Sequence, residues 1–524
     1  MQRLIFVNRY FFPDHFATSQ ILSDLTFHLA GAAHEVHVIT SRQSYDDPQA
    51  ALPARETVNN VQVHRLTSTQ FGRGSLLGRA SDHLSFYRPV GRYLAEITQR
   101  NDIIIAKTDP PLLSVCALRN TTARRPPDQL AAGYLSENRR GFGRAFDARP
   151  CWQRAGLRGP VGSAPAALRN RCLRQAEATV IVGELMARRV KTLGAPTSRV
   201  RVIPNRCNDE AIRPMARQRN ALREQWGLLG KFVLGYSGNL GRAHDYGTVL
   251  GAAEILRNAT NIIFLVVGGG NRFAELRTAA KERGLDGSFR FMPYPYQQQE
   301  MLPYSLSVPD AHWLSLNPQL EGLIVPSKFY GVAAAGKPIV VIGDPNGELA
   351  NLVRDYGCGA VIKSDNSQLL AQVLQSWSTD PQTIAALGIR ARQMLDEHFT
   401  RRQGLARWSE LINQLGQSHS EEHFNAGEPT IIGSTKAMRA KWVKFCYRQR
   451  AALRARRLTM RDAHVSRRYT RSPTVCITSL GRWRTHEWIE WSVFAALQLV
   501  AYGPGYSTSG EADMNTESGR EFRL

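Results

Sequence analysis

The sequence predicts an α/β protein with two doubly wound parallel sheets facing each other across a cleft. Three observations predict it. Short apolar runs alternate with stretches of helical period over residues 1–110 and again over 231–355. A Pro-punctuated stretch, RVIPNRCNDEAIRP, divides the two series as an interdomain linker. At 524 residues and 43% hydrophobic content, the chain is long enough for two or three full cores.

In the first series LIFVN reads as a strand, and Ala17 to Ala33 has helical period with Ser19 and Ser23 near its start. EVHVIT, VQVHRL and DIIIA follow as strands, the last running into Lys107-Thr108-Asp109-Pro110-Pro111. ATVIVGELMARRV reads as a strand and a helix. In such sheets ligands sit beyond the carboxyl ends of the strands, which places Asn8 to Thr18 and Lys107 to Pro111 at a site. Taken singly, Asp14, His15 and Ser19 read as cap and turn residues.

The second series opens at KFVLGYSGNLG. It continues with a helix over Tyr246 to Arg257, the strand NIIFLVVGGG, a helix near Ala274 to Arg283 and the strand FRFMPY. A helix near Gln298 to Ser305, the strand AHWLSL, the strand PIVVIGD and a helix over Asn346 to Arg354 complete it. The expected domains are a Rossmann-like 1–203, a Rossmann-like 204–385, terminal helices over 386–417 and a basic, irregular tail over 418–524.

Net charge is +23, which by itself suggests nucleic acid or an anionic membrane. The charge is concentrated, however. Cys116 to Gln175 holds 12 Arg against 3 acidic residues, and Ser418 to Leu524 holds 17 Lys and Arg against 10. No aromatic-interleaved basic motif supports nucleic-acid binding. The 7 Cys are scattered without a C-x-x-C pair, which argues against a zinc site or a disulfide framework and fits a reducing cytosol. LIFV is too short for a signal peptide. The longest apolar approach to a spanning helix, Trp488 to Tyr502, is interrupted by Glu490 and Gln498.

The chemistry concentrates in EGLIVPSKFYGVAAAGKP, residues 321–338. Glu321 and Gly322 sit in a loop that can bring backbone close to a ligand. Pro326, Ser327 and Lys328 are expected to open a helix, which exposes unpaired N–H groups to an anion. Small residues then let that helix pack closely. In YSGNLGRAHD, residues Gly238, Asn239 and Gly241 form a tight strand-to-helix loop, and Arg242 and His244 add donors suited to a diphosphate. Alone, that loop also reads as an ordinary turn. Gly268, Gly269 and Gly270 are consecutive rather than spaced as in a dinucleotide fingerprint, and read as a turn where base or ribose passes.

Together with NRYFFPDHFATSQ, HEVHVIT, TDPP and VIPN, these motifs resemble the family 4 glycosyltransferases over about residues 1–115 and 165–415, with the nearest likeness to the branch used in bacterial surface-polysaccharide assembly. The resemblance implies GT-B architecture and retaining transfer from a nucleotide-diphosphate sugar. It implies a donor bound by the second domain, through the residues above, and a lipid-linked or saccharide acceptor on the side of His15, Ser19 and Asp109. It implies no metal and no other cofactor, and work on the cytoplasmic side, at the inner face of the plasma membrane. Glu321 matches the first acid of the family's paired-glutamate motif, at the donor sugar. It reads alternatively as a helix-capping acid. The second acid falls at Gly331 and is missing, so ribose binding is expected to use Tyr330 or backbone. Arg242 and Lys328 are the candidates for the diphosphate. The alternatives are a nucleotide-sugar epimerase of the same fold and an inactive, anion-binding derivative.

The resemblance fails from about Cys116 to Ser163, where the family has a strand and helix with a Trp-Leu-Gln-Asp-like signature. One codon choice for DQLAAGYLSENRRG, read one nucleotide later, encodes INWLQDIYPKTAE, the expected strand, loop and helix start. The segment is therefore read as out of frame, against the alternative of a natural Arg-rich insertion. The tail after Gln417 has two readings: similar read-through, or a basic amphipathic membrane-surface helix over KAMRAKWVKFCYRQRAALRARR.

Overall fold

The structure is a computed structural model, and it describes residues 1–14, 17–44, 52–69, 71, 76–124, 130–133, 164–292 and 299–425. The first domain starts with β1 (Arg3–Val7), α1 (Ala17–Gly31), β2 (Glu35–Ser41), β3 (Arg55–Val58), β4 (Val61–Leu66) and α2 (Leu76–Ile97). It continues with β5 (Ile103–Ala106), α3 (Leu113–Arg124), β6 (Leu130–Gly133), α4 (Ala164–Gln175), β7 (Ala178–Ile181), α5 (Glu184–Thr192) and β8 (Val200–Val202). These strands form one sheet in the order β3-β4-β2-β1-β5-β6-β7-β8, parallel except for the β3–β4 hairpin.

The second domain holds α6 (Ala221–Gln225), β9 (Phe232–Asn239), α7 (Gly247–Ile255), β10 (Ile262–Gly269), α8 (Asn271–Glu282) and β11 (Phe289–Met292). After these come α9 (Leu302–Ser307), β12 (Ala311–Ser315), α10 (Lys328–Ala334), β13 (Ile339–Gly343), α11 (Glu348–Asp355), β14 (Gly359–Lys363) and α12 (Ser367–Thr379). Its sheet is wholly parallel, in the order β11-β10-β9-β12-β13-β14. Two long helices, α13 (Pro381–His398) and α14 (Arg401–Asn425), close the described chain.

The strands are continuous apolar runs because both faces of each sheet are covered. In β1, Leu4 and Phe6 enter one core with Leu22, Leu25 and Leu29 of α1. Ile5 and Val7 enter the opposite core with Phe86, Val90 and Leu94 of α2. The first of these cores is shared between domains. Val180 and Met186 belong to the same apolar cluster as Phe329 and Val332 of α10 and Met394 and Trp408 of the terminal helices. At about 25 cal/mol per Å² of buried apolar surface, such continuity favours a fixed seam over two independent bodies. The last helix also returns to the first domain. Asp24 on α1 accepts from Arg206 Nε at 3.0 Å and Arg401 Nε at 2.6 Å, and His28 Nε2 lies 3.2 Å from Ser409 Oγ.

Four expectations change. Val200–Val202 extends the sheet as an edge strand beside β7, so the linker begins later than the proline pattern implied. Leu130–Gly133, inside the stretch read as out of frame, takes the seat between β5 and β7, and α3 reaches Arg124. Four small or apolar residues, LAAG, are enough to continue a parallel ladder whose partners are already in place. Residues 134–163 and 426–524 lie outside the described residues. The 22-residue α2 was not expected, because Pro89 and Gly91 interrupt its pattern, yet Phe86, Val90 and Leu94 at i, i+4 and i+8 carry its buried stripe. Strand β14 and helix α12 complete the second domain where no element was read. No helix among the described residues is long and apolar enough to cross a membrane.

Candidate functional site

The site lies at the carboxyl ends of β9, β10 and β12, where a doubly wound sheet presents its loops. Strand β9 ends in Gly238 and Asn239. Gly238 has φ 117°, a conformation that favours glycine. The loop lies tightly against the end of β10. Leu240 donates to Gly269 O at 2.7 Å, and Arg272 N donates to Leu240 O at 3.0 Å. A Cβ on Gly268 would strike the Gly238 carbonyl, and one on Gly270 would lie 2.7 Å from the Leu240 oxygen. Gly268 and Gly270 therefore let two loops touch, while a Cβ on Gly269 would meet nothing within 4 Å.

Lys328 is the first residue of α10, so the helix opens two residues later than Pro326. Its Nζ donates to Tyr236 Oη and reaches Asn239 O at 3.5 Å, which brings it over the β9 loop. Ser327 makes no side-chain cap bond. His244 places Nδ1 2.6 Å from Ser315 O and thereby ties the loop to the end of β12. Arg242 is exposed on the same loop, next to the buried Gly241. Arg272, not singled out from the sequence, donates from Nη1 to His244 O at 2.8 Å and lies over the Tyr246 ring at 5.6 Å. Its signal was available: an Arg two residues after a glycine run that ends a strand, at the start of a helix.

Glu321 lines a small cleft with Ser315, Ile324, Pro326, Glu348 and Leu349. Its Oε2 accepts from the Glu348 N–H at 3.3 Å, at the start of α11. Burial, with Asp344 and Glu348 close by, pushes its carboxyl up to about 7. Glu348 in turn crosses to the first domain. Its two oxygens accept from the N–H groups of Glu184 and Leu185, each at 2.8 Å, at the N-terminus of α5. Three glycines make room for this relay. A Cβ on Gly183 would lie 2.7 Å from Glu348 Cδ, one on Gly347 2.7 Å from Glu321 Cδ, and one on Gly322 3.2 Å from Leu185 O. Gly322, at φ 66°, thus serves the contact between domains. The capping role weighed for Glu321 is present alongside its place in the cleft.

Tyr330 does not reach the site. It is 1% exposed, and its ring packs against Phe329 and Phe399 at centroid distances of 5.4 Å. Residue 330 points into the core because α10 buries every residue from Phe329 to Ala334. Gly331 sits in the same buried stretch. On the first domain, Ser19 is wholly buried, and Asp109 accepts from Arg9 N at 2.8 Å through its backbone. Lys107 Nζ, from the same loop, donates to Thr18 O at 3.3 Å. His15 lies outside the described residues. Among the described residues no group of three or more His, Cys, Asp and Glu is placed to hold a metal.

Two opposed doubly wound sheets, with a glycine loop, a lysine and an acid gathered on the second, define a GT-B protein. Comparison with known proteins agrees. Residues 18–206 match the Glycosyl transferase 4-like domain, and residues 218–394 match Glycosyl transferases group 1. The chain is 30% identical over 184 residues to WcaI of Escherichia coli (strain K12), whose name places it among the glycosyl transferases of colanic acid biosynthesis. It is 23% identical over 186 residues to WbjE of Pseudomonas aeruginosa, named as a glycosyltransferase. These matches cover 34% and 36% of this chain and only 40% and 45% of the two relatives. Among solved structures, the sucrose-phosphate synthase of Thermosynechococcus elongatus superposes with TM-score 0.58 at 15% identity, over 80% of this chain and all of that one. HepE of Anabaena, solved with UDP and glucose, gives 0.57 at 16%, over 79% of this chain and all of that one. The chain belongs to the family 4 glycosyltransferases.

Proposed function

We propose that the protein transfers a sugar, with retention, from a nucleotide-diphosphate sugar to a saccharide or lipid-linked acceptor in surface-polysaccharide assembly. The observation that carries this reading is the placement of Lys328 Nζ over the β9 loop, within 3.5 Å of Asn239 O. As the glycosidic bond breaks, the diphosphate gains negative charge, and a fixed cation beside a glycine loop stabilises that charge without a metal. Arg242 and Arg272 add positive charge on the same side. Glu321 borders the cleft where the donor sugar would meet the first domain. Support for a nucleotide sugar also comes from HepE, which shares this fold and was solved with UDP and with UDP-glucose. The names of WcaI and WbjE favour the polysaccharide setting. Of the two readings of the stretch 436–457, the basic amphipathic one is what work at the membrane face would rest on.

The test is transfer of radiolabelled sugar from a panel of nucleotide sugars into a membrane extract, with and without Lys328→Ala. The variant is expected to lose about 100-fold or more in rate. Undiminished transfer by Lys328→Ala would overturn the site. Conversion of the donor sugar to its epimer without acceptor would overturn the reaction in favour of an epimerase.

A further inference from the structure

Lys328, the cation over the β9 loop, lies beside a buried tyrosine of the second sheet. Tyr236 lies in β9 and is 1% exposed. Its ring packs on Trp313 of the neighbouring β12 at 4.6 Å and 38°, and on His244 edge to face at 5.8 Å. Trp313 is itself wholly buried. The tyrosine is thus clamped between a core indole and the loop that leaves its own strand. Lys328 Nζ sits 3.9 Å from the centroid of that ring and donates to its hydroxyl. The hydroxyl donates onward to Asn239 O at 2.8 Å.

We propose that Tyr236 is the positioning residue for Lys328, fixing its ammonium over the β9 loop for the diphosphate of the donor. This rests on the donor reading above and adds to it the group that orients the cation. A lysine side chain carries much rotamer freedom, and ordering it on binding weakens affinity. A rigid ring face attracts the ammonium, and a hydroxyl accepts one of its three N–H donors. The hydroxyl spends its own proton on Asn239 O, so one residue sets both the lysine and the loop it overlies. Residues 236 and 328 are far apart in sequence, and only the adjacency of β9 and the start of α10 joins them.

The test uses the full chain, calorimetric titration with UDP, GDP, ADP and dTDP, and the matching nucleosides as phosphate-free probes. Tyr236→Phe keeps the ring on Trp313, so the fold is preserved while the hydroxyl is lost. It is expected to bind the preferred diphosphate about tenfold more weakly, with nucleoside affinity unchanged. In a Lys328→Met background, Tyr236→Phe is expected to cost clearly less than it does in the wild type, because only the bond to Asn239 O remains to be lost. Wild-type diphosphate affinity in Tyr236→Phe would overturn the proposal. An equal loss for the nucleoside would also overturn it, as would a full effect persisting without the lysine. Failure of the wild-type protein to bind any of the four diphosphates would instead overturn the donor reading, and this assignment with it.

Discussion

Glu321 shows how a single carboxyl can carry two duties that a motif does not separate. It borders the cleft, and it also accepts from the first N–H of α11 at 3.3 Å. Burial beside Asp344 and Glu348 raises it from 4.5 to about 7. The sign follows from the upward direction: between those values the folded protein retains a proton that the unfolded chain has released. Stability therefore falls as pH rises from about 4.5 through about 7, and is level above that. Glu321→Gln removes this dependence. Urea unfolding at pH 5, 6, 7 and 8 should show the variant gaining on the wild type up to about pH 7 and then running parallel. Parallel profiles over the whole range would show that burial does not perturb this group. At the same scale, the sequence marks Gly238, Glu321 and Lys328 by residue type and loop position alone, and only the fold shows that Lys328 lies over the loop of Gly238. Tyr330 was misjudged because a tyrosine beside a lysine in a motif carries no mark of the face it occupies. Residue 330 lies on the buried side of α10, and that is decided by packing.

Elements were legible where both faces of a strand are buried and the run is continuous, as in LIFV and IVVIG. They were missed where a breaker interrupts the pattern, as Pro89 does in α2, or where a strand is as short as Val200–Val202. The relation between elements was not legible at all. The N-terminus of α5 is capped by Glu348, a residue of the other domain, through two bonds of 2.8 Å. Glu348→Ala leaves those N–H groups without their protein acceptor, at a cost of about 1–2 kcal/mol. Hydrogen exchange at Glu184 and Leu185 should quicken in that variant, while exchange in β9 and β10 stays unchanged. Unaltered exchange at the two amides would show that solvent replaces the carboxylate without loss. A helix N-terminus and a carboxylate attract one another wherever they meet, but local sequence does not say which pair will meet.

The molecule as a whole is held by the return of its C-terminal helices to the first domain. Asp24 accepts from Arg206, whose side chain is 4% exposed, and from Arg401. Burial lowers the tendency of Arg206 to stay charged, and Asp24 is the acid that offsets this. Removing one partner of a buried ion pair costs more than the pair contributes, because the remaining charge stays desolvated. Asp24→Ala should therefore lower stability by about 3 kcal/mol, read from urea midpoints, with Asp24→Asn intermediate. A loss below about 0.5 kcal/mol would mark the contact as a surface pair. The chain by itself determined its class: two series of alternating strands and helices, a linker between them, and a loop of Glu, Gly and Lys at the ends of the second set. These are local patterns, set by residues within a few positions of one another. Only the tertiary structure decided that Tyr236 holds Lys328, that Glu348 caps a helix of the other domain, and that Asp24 gathers Arg206 and Arg401. Those partners are 92 to 377 residues apart, and their meeting depends on which faces the two sheets bury against one another.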